Sequence, residues 1–224
     1  MQKPLYCNQV AFDMFVSQIG CRETNIGICS AVTAIAMRFD RQVSLQLVAL
    51  ELGDIAKQVT KRVTSGSDRA LIAHLHQVLF EGLGFRGDTG NFYNPKNSLL
   101  PNVLECKRGI PITLALLYKL VAGRCGLDVI GLNTAGYFLA RLTIDNERMI
   151  VGGFFSGKLM SESEVYSRIR KMMGRQKIPE INSAVIEVAT RRQWVTRLLA
   201  NIIQALSIQN RPEDIAAVMS CTMR

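Results

Sequence analysis

The sequence predicts an α+β fold: a mostly helical N-terminal region and a helical C-terminal tail flank a central buried helix packed on a small antiparallel sheet. Three observations carry that expectation. Apolar residues recur at helical spacing through the first 85 residues, a helix opening at Pro111 is apolar around nearly its whole circumference, and strand-like segments follow it directly. With 224 residues, 48% of them hydrophobic, the chain can bury a real core, which excludes a disordered tail, a collagen-like repeat or a small disulfide-stapled module.

Taken in order, 43–58 places Leu45, Val48, Leu52, Ile55 and Val59 on one helical stripe. Residues 70–80 do the same with Leu71, Leu75, Val78 and Leu79 after the capping residues Ser67 and Asp68, and a loop at 64–67 separates the two. From Gly82 to Pro101 the composition shifts to Gly, Asn, Pro and aromatics, an irregular run of a kind that often carries function. Pro111 suits a first helical position, and Gly126 suits the cap after Cys125. Strands are expected at 128–133, 137–144 and 148–151, the last two joined by a turn at 145–147. Ser161 to Glu164 has capping-box spacing and opens another helix. A strong amphipathic helix at 191–206, a turn at Asn210 and a short helix after Pro212 complete the tail.

The net charge of +9 is spread along the chain with a mild C-terminal bias. Its densest cluster, Arg168, Arg170, Lys171, Arg175 and Lys177, is interrupted by Met and Ile and reads first as a solvated helix face, with nucleic acid a lesser alternative. The six cysteines show no C-x-x-C spacing and none lies near a histidine in sequence, so zinc frameworks are not expected. There is no secretory pattern at the N-terminus and no apolar run long enough for a membrane span, so the expectation is a cytoplasmic protein whose cysteines are mostly small core hydrophobes. No motif calls for a cofactor.

Two motifs invite chemistry and do not hold it. Gly82, Gly84 and Gly87 match G-x-G-x-x-G, but the pattern follows a helix and enters a loop, whereas a dinucleotide site needs a preceding strand and a helix N-terminus. His74 and His76 stand two apart on a helix, on opposite sides, so they cannot share a metal and read as polar-face histidines.

Resemblance enters between Leu45 and Leu159. The segments Phe85-Arg-Gly, Phe92-Tyr-Asn-Pro-Lys-Asn-Ser-Leu-Leu, Arg108-Gly-Ile-Pro-Ile-Thr-Leu-Ala-Leu-Leu-Tyr, Gly136-Tyr-Phe-Leu-Ala-Arg and Val151-Gly-Gly-Phe occur in the order of the SirB-type transglutaminase-like proteins of bacteria, which the chain resembles. The resemblance implies a transglutaminase or cysteine-proteinase-like core at 86–160 between a helical region at 1–85 and a tetratricopeptide-like tail at 161–224, packed as one body. In active relatives a Cys at the start of the central helix is activated by the helix dipole and by a His and Asp on neighbouring strands. Those three places fall on Pro111, Tyr137 and Gly152. Proline is the SirB-type family's usual residue at the first, while Tyr137 and Gly152 depart from it. A phenol is a poor base at neutral pH and a glycine orients nothing.

The expectation is therefore a pseudoenzyme: a regulatory or scaffolding protein that binds a protein or peptide partner through the degenerate cleft, the basic 168–177 face or the helical tail. Candidate contacts are Tyr93, Asn94, Asn97, Arg108 and Tyr137. Family context adds bacterial regulation, linked to virulence genes. The alternative is a thiol acyl-transferase or peptidase-like enzyme with a relocated nucleophile, Cys106 or Thr113, whose imidazole would have to come from His74 or His76.

Overall fold

The computed structural model describes residues 9–20, 22, 27–64, 66–134, 137–173 and 186–219. Cys7, Cys21 and Cys221, and Arg175 and Lys177 of the basic cluster, lie outside the described residues. The N-terminal region is helical as expected, with α1 (Gln9–Ile19), α2 (Ile28–Ala36), α3 (Leu45–Thr60) and α4 (Asp68–His76). Ser44 caps α3 by accepting from the Leu47 N–H at 3.2 Å, and the stripe Val48, Leu52, Ile55 and Val59 is buried. Beyond His76 the helix widens into a π-helical turn, Gln77–Gly82, which ends at left-handed Gly84 (φ 71°). The Gly82 to Gly87 glycines thus stop a helix and lead into a strand, the reverse of a dinucleotide turn.

The irregular run is more ordered than its composition suggests. β1 (Arg86–Gly87) pairs in parallel with β2 (Arg108–Gly109), and between them lie a 3₁₀ turn, Pro95–Ser98, and a short helix α5 (Leu100–Cys106). α5 carries no periodic signal, because Pro101 in its first turn reads as a breaker although the missing N–H costs nothing there.

α6 (Pro111–Arg124) is the central helix, with Pro111 through Tyr118 continuously buried. The chain leaves it through left-handed Gly126 (φ 90°), with the Leu127 N–H donating to Ala122 O at 3.0 Å. A five-stranded antiparallel sheet follows: β3 (Ile130–Thr134), β4 (Phe138–Ile144), β5 (Glu147–Gly152), β6 (Lys158–Met160) and β7 (Ile186–Val188), in the order β6-β5-β4-β3-β7. Asp145 and Asn146, both at positive φ, form the two-residue turn between β4 and β5. Phe138, Ala140, Leu142 and Val151 face α6 and α8 (Arg191–Ile208). Leu132, Leu139 and Ile150 face Val165 and Ile169 of α7 (Glu162–Met173). The expected capping box opens α7: Ser161 N–H donates to Glu164 Oε2 at 2.9 Å, and Glu164 N–H to Ser161 Oγ at 3.2 Å.

In the tail, α8 and α9 (Pro212–Met219) pack together across a turn with Asn210 at φ 53°. Trp194 of α8 lies against Phe138 with ring centroids 4.3 Å apart, over Gly131, where a Cβ has no room. One apolar core runs from Phe15 in α1 through α6 to Val218 in α9. No helix among the described residues is long and apolar enough to cross a membrane.

Candidate functional site

The start of α6 is built by close approach. Pro111 follows the cap residue Ile110, whose carbonyl accepts from the Leu114 N–H at 3.1 Å. Gly153, the residue after Gly152, lies so near that a Cβ built on it would stand 3.0 Å from Leu114 Cβ. The 3₁₀ turn Gly153–Phe155 therefore rests on the first turn of α6. Tyr137 enters β4 with its carbonyl accepting from Thr134 N–H at 3.1 Å and Thr134 Oγ1 at 2.8 Å, and its ring lies 5.8 Å from Phe155. The fold thus brings Gly152 and Tyr137 to one short turn, with the Tyr137 ring packed on the α7 side of the sheet, while Pro111 is buried at the start of α6, on which the turn rests through Gly153. At Gly152 a Cβ would meet Met160 Cε at 2.7 Å, so a larger side chain enters only if Met160 moves.

Across this turn runs a chain of aromatic rings. Tyr93 meets Phe92 at 5.2 Å, Phe92 meets Phe154 at 5.9 Å, Phe154 meets Phe155 at 5.6 Å, and Phe155 meets Tyr137. The first three pairs are edge-to-face, an arrangement that adds about 0.5–1.5 kcal/mol per pair beyond area burial. Gly87 makes room for it, since a Cβ there would meet the Phe154 ring at 2.5 Å. Arg168 of α7 covers the far end, its guanidinium carbon 4.2 Å from the Phe155 centroid. Phe92 and Tyr93 are 37% and 46% exposed, while Phe154, Phe155 and Tyr137 are half-buried. The sequence singles out neither Phe154 nor Phe155, although Phe154 lies inside the matched Val151-Gly-Gly-Phe segment, and it marks Arg168 only as part of the basic cluster.

The other expected contacts face inward. Asn97 is 5% exposed; its Nδ2 donates to Asp88 Oδ2 at 2.9 Å and to Asn91 O at 2.8 Å. Asn94 Oδ1 accepts from the Lys96 N–H at 3.1 Å and caps the 3₁₀ turn. Arg108 is half-buried, and its Nη1 donates to Lys107 O at 3.2 Å and Gly84 O at 3.4 Å, fastening β2 to the end of the π turn. These three side chains shape the loop that presents Tyr93.

Among the described residues neither Cys106 nor Thr113 is hydrogen-bonded to His74 or His76. Cys106 is an exposed free thiol at the C-terminal end of α5, which departs from the core role expected of most cysteines; Cys29 and Cys125 are half-buried, and burial raises both thiols. Thr113 lies in the first turn of α6, fully buried, with its hydroxyl lacking a hydrogen-bond partner. His76 is not the polar-face residue expected. Its Nε2 lies 3.0 Å from the Tyr118 hydroxyl of α6, and its ring meets Phe80 and Tyr118 edge-on. Burial lowers the His76 pKa from 6.5 to about 4 and pushes the Tyr118 phenol up. His74 Nδ1 faces Gln77 Oε1 at 3.4 Å.

No group of three or more His, Cys, Asp or Glu side chains among the described residues could hold a metal. Comparison with known proteins gives the fold its place. A UPF0162 protein of Xylella fastidiosa (strain 9a5c) is 30% identical over 142 residues, covering 62% of this chain and 50% of that protein. A UPF0162 protein of Pseudomonas aeruginosa is 26% identical over 72% of this chain and 58% of its own length, and F-box only protein 21 of Mus musculus is 26% identical over 58% and 21% respectively. The chain spans about half the length of the Xylella relatives it matches. No solved structure matches it significantly. The profile of the transglutaminase-like superfamily matches residues 46–200, from α3 through the sheet into α8, and the chain belongs to that superfamily.

Proposed function

We propose that this chain is a non-catalytic member of its superfamily that binds a protein or peptide partner on the aromatic face over the start of α6. The observation that supports this most is the pairing of substitution with filling. Where active relatives of the resembled family would place Cys, His and Asp stand Pro111, Tyr137 and Gly152, and the turn between them carries Phe154 and Phe155, continuous with exposed Phe92 and Tyr93. Aromatic side chains that are partly exposed and held rigid by their neighbours are effective anchors for a partner.

The order of the matched segments favours the SirB-type branch, with α8 and α9 as a single tetratricopeptide-like unit and a regulatory role in the bacterial cytoplasm. Partner capture tests the reading. A Phe92→Ser/Tyr93→Ser variant changes exposed side chains, and once circular dichroism shows it folded, a partner captured by the wild-type chain is expected to be lost with the variant. Equal capture by both would refute the aromatic face as the site. Capture that needs a reactive thiol and leaves a covalent adduct on Cys106 would favour the enzyme with a relocated nucleophile.

A further inference from the structure

We infer that the partner segment is an acidic extended peptide: apolar side chains at alternate positions lie on the aromatic chain, and a following carboxylate is held by Arg168 and Lys171. This deepens the peptide-binding reading and rests on it.

Arg168 belongs to two features at once. Its guanidinium lies over Phe155, the ring that also touches Tyr137, and it lines an open hollow of about 340 Å³ with Ser163, Glu164, Ser167 and Lys171. The aromatic chain and the hollow are therefore continuous. Ser163, Ser167 and Lys171 stand at successive intervals of four on α7, as do Glu164 and Arg168, so the lining is one helix face.

Among the described residues the lining of the hollow carries two cations against one carboxylate. Glu164 is engaged at both oxygens: Oε1 pairs with Lys158 Nζ at 3.1 Å, and Oε2 accepts from the Ser161 N–H at 2.9 Å. Arg168 and Lys171 make no ion pair among the described residues. A guanidinium presents five N–H donors, and its fork matches a carboxylate in two parallel hydrogen bonds. The Ser167 hydroxyl adds a neutral donor on the same face.

The spacing fits an extended chain. Alternate side chains of a strand are about 7 Å apart, and successive rings from Phe92 to Phe154 to Phe155 are 5.9 and 5.6 Å apart. Side chains on one side of such a peptide reach successive parts of the aromatic chain, and the next on that side arrives at Arg168.

A random-peptide library selected on three immobilised proteins tests this: the wild-type chain, Arg168→Gln/Lys171→Gln, and Phe92→Ser/Tyr93→Ser, each checked for folding by circular dichroism. The expected result is enrichment of Asp or Glu after alternating apolar residues on the wild-type chain. The acid preference is expected to vanish on Arg168→Gln/Lys171→Gln, with individual selected peptides weakened by about tenfold. Peptides that need Phe92 and Tyr93 but show no acid preference, or keep it without Arg168 and Lys171, overturn this inference and leave the peptide-binding face standing. No enriched peptide, or enrichment indifferent to Phe92 and Tyr93, overturns both. A single-stranded oligothymidine probe that binds more tightly than the selected peptides and is lost with Arg168→Gln/Lys171→Gln assigns the hollow to nucleic acid and overturns the inference.

Discussion

Stability should fall measurably as His76 is forced to take a proton. The imidazole is half-buried between Phe80 and Tyr118, with Tyr118 OH 3.0 Å from Nε2, and burial holds its pKa at about 4 against 6.5 unperturbed. Because the folded value is the lower one, the unfolded chain binds more protons between these two pH values, and stability rises with pH across that window and levels off above 6.5. At 1.36 kcal/mol per pH unit the full difference has a ceiling of about 3 kcal/mol, of which about 2 kcal/mol is lost between about pH 7 and pH 5. Urea unfolding across that range reads it directly, with the single Trp194, buried against Phe138, as the fluorescent reporter. A His76→Gln variant should lose the slope while carboxylate titration at lower pH remains. A flat wild-type profile, or the same slope in His76→Gln, would refute the reasoning.

Other outcomes follow from contacts around α6. Thr113→Val replaces a fully buried hydroxyl that lacks a partner by a methyl of the same shape, so it should be neutral or stabilising by up to about 1 kcal/mol in urea unfolding. Gly153→Ala forces a Cβ to 3.0 Å from Leu114 Cβ and should destabilise by about 1–3 kcal/mol. Tyr118→Phe leaves the His76 Nε2 without its hydroxyl and should cost about 1–2 kcal/mol, with the pH slope retained. Gly87→Ala meets the Phe154 ring at 2.5 Å and should displace the aromatic chain, weakening partner capture more than it lowers the thermal midpoint.

Much of the architecture was legible where local physics and tertiary packing agree. α3 and α8 declare themselves by apolar period and α6 by its unbroken apolar circumference, while Pro111 and Gly126 mark the ends of α6 and Ser161 the start of α7, as capping chemistry requires. β6 and β7 were not legible, because three-residue strands contain too few alternations to stand out, and α5 was masked by Pro101. The π turn after His76 also left no mark, since its distinction is a hydrogen-bond register.

The site was half legible. Motif order located Pro111, Tyr137 and Gly152, and Tyr93 was singled out from the loop. Asn94, Asn97 and Arg108 are polar residues in an irregular segment, and nothing in the sequence distinguishes such a residue facing a partner from one tying the loop to itself, as these do. Arg168 belongs to none of the matched motif segments, and its place over Phe155 arises from the packing of α7 on the sheet.

The most direct test of the central claim is turnover of an activated acyl donor such as p-nitrophenyl acetate, beside site-resolved iodoacetamide labelling by mass spectrometry, on the wild-type chain, Cys106→Ala and Thr113→Val. A non-catalytic protein gives the same background hydrolysis for all three chains and labels Cys106 no faster than an ordinary exposed thiol. Saturable turnover abolished by Cys106→Ala or by Thr113→Val, or selective rapid labelling of Cys106 at neutral pH, would contradict it.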